Sequence, residues 1–134
     1  MVAKAKFQHD ITAAIKKLVR GYGKNYDPPE SLKALDNLHI KQSTIAAALQ
    51  AEPHIKVKSY QISEWLRGTA PCPAKYHDSL LRVLGVVVKE ANKALRDARN
   101  SGLYPLAVLE HYKALVRDAE QVLLAARTTQ EQLV

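Results

Sequence analysis

In segment after segment of this chain, apolar side chains recur at every third or fourth position. A helix of 3.6 residues per turn gathers such positions into one stripe. Residues 5–22 place Phe7, Ile11, Ile15, Leu18, Val19 and Tyr22 on that stripe, with Lys6, Lys16, Lys17 and Arg20 outside it. Near the other end, Leu109, Tyr112, Val116, Ala119, Leu123 and Ala126 repeat at three-and-four spacing, the pattern of a coiled-coil seam. Aromatic residues make up only 6% of the chain, with a single Phe, so the core these stripes build is aliphatic and the fold class is all-α.

The middle of the chain predicts shorter helices. Leu32, Leu35 and Leu38 mark one, and Gln42 to Leu49 a second with Ile45, Ala46 and Leu49 inward. Residues 57–68, VKSYQISEWLRG, form the third. Val57, Ile62, Trp65 and Leu66 are its apolar back, Lys58, Ser59, Tyr60, Ser63, Glu64 and Arg67 its polar front, and Gly68 its stop. A fourth runs from Ala74 to Leu84 with Tyr76, Leu80, Leu81 and Leu84, and Gly85 either ends it or is crossed. Helices below roughly 12–15 residues are marginal alone in water, so these must clamp one another. The expected core of a small domain over residues 30–85 is Ile45, Leu49, Ile62, Trp65, Leu80, Leu81 and Leu84.

Residues 86–134 then change character, to two longer helices split at Asn100, Ser101 and Gly102, with Pro105 near the start of the second. Leu106, Leu115 and Val122 widen the seam beyond what a two-helix hairpin hides, so it packs back on the domain or pairs with another chain. Self-association through Leu109, Tyr112, Val116, Ala119 and Leu123 is the expectation, and residues 128–134 are expected to fray. Residues 1–29 are read as an amphipathic helix docking on the domain, followed by a loop. A basic amphipathic helix can also lie on a membrane surface. Gly21 or Gly23 stops the helix, Pro28 and Pro29 turn the chain, and Lys24 is placed for a backbone phosphate.

Net charge is +7 at pH 7, which favours polyanionic partners without bearing on the fold. Residues 1–27 hold six basic groups against two acidic ones, the strongest imbalance in the chain. The single cysteine, Cys72, rules out an internal disulfide and fits a reducing, cytoplasmic setting. No stretch approaches the roughly 20 apolar residues of a membrane span. His9, His39, His54, His77 and His111 are scattered, with no pair at ligand spacing, so neither metal nor cofactor is implied. Cys72 has no neighbouring base in sequence, and the chain is read as non-enzymatic, with no small-molecule ligand evident.

The run Ile40-Lys41-Gln42-x-x-Ile45-Ala46-x-x-x-Leu49 resembles the L-T-Q-x-x-L-A-x-x-x-L of Cro/repressor-type helix-turn-helix domains. Val57-x-x-x-x-Ile62-Ser63-x-Trp65-x-x-Gly68 is similar to their V-S-x-x-x-I-S-x-W-E-x-G, and Leu84-Gly85-Val86 to their final L-G-V. The resemblance covers the middle of the chain. Seven residues separate Leu49 from Val57 where the family usually has about two. The turn glycine is absent, Leu66 stands in place of Glu, and Lys58 in place of Ser.

What the resemblance implies is a sequence-specific regulator of transcription, of phage or bacterial repressor type, acting on double-stranded DNA. By position, Ser59, Tyr60 and Glu64 would read bases, and Gln42 and Lys58 would contact phosphates, with Gln61 and Ser63 adjacent. Lys56, Arg67 and Lys75 are further cationic anchors. One such helix reads few base pairs, so two copies on a palindromic site are expected, as a dimer or tetramer. Two alternatives stand beside this: a helical adaptor of antitoxin or anti-repressor type, and an unspecific nucleic-acid binder.

Overall fold

A computed structural model describes residues 2–22 and 26–133. Six α-helices follow one another: α1 (Val2–Tyr22), α2 (Glu30–Asn37), α3 (Gln42–Gln50), α4 (Ser59–Arg67), α5 (His77–Ser101) and α6 (Leu106–Leu133). A 3-10 turn, Ala74–Tyr76, leads into α5, and no strand occurs among the described residues. The fold class is all-α, as the periodicity predicts. Gly23 and Lys24 lie outside the described residues.

Three of these helices have nine residues or fewer, and each is held by what it packs against. Leu32 and Leu35 of α2, Ile45 and Leu49 of α3, Ile62 of α4, and Leu80 and Leu84 of α5 are fully buried in one cluster, which Trp65 and Val57 join. Helix α2 lies against both α5 and α6, while α3 packs on α4 and α5. Of the expected core, Leu81 alone is misplaced: it is half-buried, on a side of α5 that α6 does not fully cover.

Helix α5 crosses Gly85 without interruption, so the expected boundary between residues 85 and 86 falls inside one 25-residue helix. Val88 and Ala91, beyond that point, join the same core. The chain turns at Gly102, whose φ of 67° closes α5 in the left-handed region. It restarts at Pro105, whose carbonyl accepts the Val108 and Leu109 N–H groups at 3.1 and 3.3 Å. The Arg99–Glu110 ion pair and the Asn92–Glu120 hydrogen bond, both at 3.3 Å, set α5 and α6 antiparallel.

Two expectations are corrected by the packing. The α6 seam is used within the chain: Val116 and Ala119 are buried in the common core, Tyr112 and Leu123 lean on it, and Leu109 is half-buried. Tyr112 Oη also donates to the Leu38 carbonyl at 3.4 Å. The eight-residue α2 needs a lid over its apolar face, and α6 is long enough to supply it, which takes the seam away from a partner chain. The helix α6 runs through Leu133.

The second correction concerns α1. Its stripe does not dock: Phe7, Ile11, Ile15 and Leu18 are 65, 57, 55 and 58% exposed. Helices α2 to α6 close the buried core among themselves.

Candidate nucleic-acid interface

The backbone sets the limits of α4. Lys58 is extended, and its N–H donates to Gln61 Oε1 at 2.9 Å, half of a capping box. Lysine has no acceptor to complete the box, so the Gln61 carbonyl alone fixes this end. At the other end Gly68 adopts φ 76°, where a Cβ would be strained. The Thr69 N–H reaches the Glu64 carbonyl at 3.1 Å and the Gly68 N–H the Trp65 carbonyl at 3.2 Å, the paired bonds of a Schellman motif. The Gly68 carbonyl in turn accepts the Tyr26 N–H at 3.2 Å, joining the segment that leaves α1 to the end of α4.

The back of α4 is anchored and its front is open. Ile62 is fully buried and Trp65 nearly so, and the Trp65 ring stacks on Tyr76 with centroids 5.5 Å apart. That stack ties the 3-10 turn to the helix, and Lys75 Nζ lies 5.1 Å from the centroid of the same Tyr76 ring. Helical spacing puts Ser59, Tyr60, Ser63, Glu64 and Arg67 together on the opposite face. Ser59, Tyr60 and Arg67 are exposed, and Ser63 and Glu64 are half-exposed.

Lys56 and Lys58 are exposed where the chain enters α4, and Lys75 is exposed beyond its far end. Gln42 is half-buried at the first position of α3. Gln61 differs from the other nine residues of the expected interface, because its side-chain carbonyl is occupied in holding the helix start.

The connection from α3 to α4 is an ordered excursion. The Gln50 side-chain amide donates to the Val57 carbonyl, closing the excursion at its base. Glu52 reaches α5: Ser79 Oγ donates to Oε2 at 2.6 Å, and Arg82 donates from Nε and Nη2 at 2.8 Å each. The Arg82 guanidinium first, and the Ser79 hydroxyl second, hold the Glu52 carboxyl down to about 2, and the same pairing raises Arg82. His54 makes the left-handed turn, φ 69°, that a glycine would otherwise supply. Glu52, Ser79 and Arg82 were missed from sequence because partners 27 and 30 positions apart leave no local signal, and Gln50 because its amide meets a backbone carbonyl seven positions on, within no helix.

Cys72 is half-buried, and desolvation pushes its thiol up to about 11, so it is protonated at neutral pH and a poor nucleophile. Among the described residues no helix is long and apolar enough to cross a membrane.

No family model, curated protein or solved structure matches the chain.

Proposed function

We propose that this chain is a sequence-specific binder of double-stranded DNA that regulates transcription, with α3 and α4 as a helix-turn-helix pair and α4 as the recognition helix. One observation carries the reading: α4 has a buried aromatic and aliphatic back, an open polar front, and two exposed lysines at its N-terminal entry. A major-groove reader needs that distribution, since base edges are read by side chains near a helix N-terminus while flanking cations neutralise phosphates.

In this reading Ser59 and Tyr60 lead into the groove, followed by Ser63 and Glu64. Serine donates to or accepts from several base edges, Glu64 accepts from a cytosine amino group, and Tyr60 packs on a thymine methyl or reaches a phosphate. Lys56, Lys58, Arg67 and Lys75 supply affinity on any sequence. The pinned excursion gives α4 a fixed entry in place of the family's shorter turn. The chain acts by binding, and no catalytic step is assigned to it.

A second reading, a helical protein-interaction adaptor, is favoured by the exposed apolar stripe of α1. A fluorescence-anisotropy titration on duplexes of several sequences separates the two. The DNA reading expects binding that weakens steeply with salt and differs among sequences, and absence of binding to every duplex at low salt defeats it.

A further inference from the structure

The turn between α5 and α6 is an exposed apolar tip. From Asn100 to Leu109 no residue is charged. Leu103, Tyr104, Leu106 and Val108 are 80, 56, 63 and 56% exposed, and Pro105 and Ala107 between them are exposed as well. Single apolar side chains on a surface need no explanation, but an unbroken run of this kind marks contact with something outside the chain. Reversing the chain requires Gly102 and Pro105, not the large side chains around them.

A turn or two below the tip the surface becomes cationic. Arg96 and Arg99 of α5 and Lys113 of α6 line a recess of about 150 Å³, with Glu110 as its one carboxylate and Leu109 carrying the apolar surface into it. Glu110 is taken by Arg99, and among the described residues neither Arg96 nor Lys113 has an ion pair. Over residues 91–115, Lys93, Arg96, Arg99 and Lys113 stand against Asp97 and Glu110, so this end of the hairpin is net positive. The tip also meets its own backbone groups. Ser101 Oγ donates to the Ala98 carbonyl at 2.7 Å and accepts the Leu103 N–H at 3.2 Å, and the Pro105 carbonyl takes the Val108 and Leu109 N–H groups. A segment entering a water-poor layer needs such internal partners.

We propose that the α5–α6 turn is an anchor for an anionic phospholipid surface: Leu103, Tyr104, Leu106 and Val108 enter the interfacial layer while Arg96, Arg99 and Lys113 meet the lipid phosphates. The depths agree. Lys113 stands seven residues beyond Leu106, about 10 Å along α6, and an interfacial segment sinks about 5–10 Å. Tyrosine suits the headgroup level, where its ring is half in and its hydroxyl is wet. Charge selects the occupant. A second copy would bring the same positive collar against this one, and duplex DNA would take the cations but leave the apolar tip in water. An anionic bilayer takes both.

The contact is peripheral, since among the described residues no helix is long and apolar enough to cross a membrane. The 25 residues of α5 put the tip about 37 Å along the helix from the turn beside α4, so the anchor is separate from the proposed DNA face and stands or falls without it.

Co-sedimentation of the full chain with vesicles tests the anchor. The wild type is expected to sediment with vesicles of equal parts phosphatidylcholine and phosphatidylserine, less so as salt rises, and not with phosphatidylcholine alone. Leu103→Asp combined with Leu106→Asp is expected to abolish this with helical circular dichroism retained; should that pair fail to fold, Tyr104→Ser with Val108→Ser replaces it. Arg96→Gln combined with Lys113→Gln is expected to weaken vesicle binding roughly 30-fold, since each cation near an anionic surface contributes about a factor of five. A wild type that ignores both vesicles, or binds both equally, overturns the proposal. So does undiminished vesicle binding by the tip variant, which would assign the contact to the basic stripe of α1. Loss of duplex binding but not of vesicle binding in the Arg96 and Lys113 variant would give the cations to nucleic acid and overturn it as well.

Discussion

The Glu52 carboxylate takes two hydrogen bonds from the Arg82 guanidinium, each 2.8 Å long, and so fastens the connection before α4 to the helix that supports its back. Ser79 completes the node at 2.6 Å. The approach of α4 is set by this contact, since residues 51–58 belong to no helix of their own.

The node makes acid stability sensitive to one carboxylate. Glu52 titrates near 2 when folded against an ordinary 4.5, so its contribution is present above about 4.5 and is lost as pH falls toward 2. Thermal melts across that window are expected to show a falling midpoint, and Glu52→Gln is expected to flatten this acid limb. An unchanged limb in the variant would mean that other carboxylates govern it.

Gly68 closes α4 at φ 76°, in a region costly for any residue with a Cβ. Gly68→Ala is therefore expected to destabilise the fold by about 1 kcal/mol in urea unfolding. A variant as stable as the wild type would show that the Schellman end does not limit α4.

His54 carries the opposite lesson. It holds φ 69° without being glycine, so His54→Gly is expected to raise stability by ~0.5–1 kcal/mol, read as a higher denaturation midpoint. A lowered midpoint would assign the imidazole a compensating contact.

Much of this architecture was legible in the chain. A short helix with Ile62 and Trp65 inward and a stop at Gly68 follows from spacing alone, whereas the pattern starts it at Val57 and the helix begins at Ser59, with Val57 buried ahead of it. What stayed hidden depends on distant partners. Whether the α6 stripe would meet another chain or α2 could not be read from a period that both outcomes share. Gly85 fits a helix stop and a helix interior equally well, and only the continuous burial of Leu80, Leu84, Val88 and Ala91 decides for the interior. The α1 stripe was legible as a stripe, but its lack of a place in the core was not.

The proposed interface separates anchoring from reading. Lys58→Ala is expected to weaken binding about equally on all duplexes and to lower the salt dependence by about one counterion, whereas Glu64→Ala is expected to shift preference among sites by about 1–3 kcal/mol at one base pair. Titrations of both variants on a panel of duplexes measure the difference. Equal losses on every sequence from Glu64→Ala would remove it from the reading face.

The central claim, that α4 reads DNA sequence, is tested most directly by selecting bound duplexes from a random pool with the full chain at low salt. The account predicts enrichment of one short motif, repeated with two-fold symmetry about one helical turn apart, and its loss when Ser59 and Tyr60 are both replaced by alanine. A pool that remains random after repeated rounds, or the same motif selected by that double variant, would contradict it.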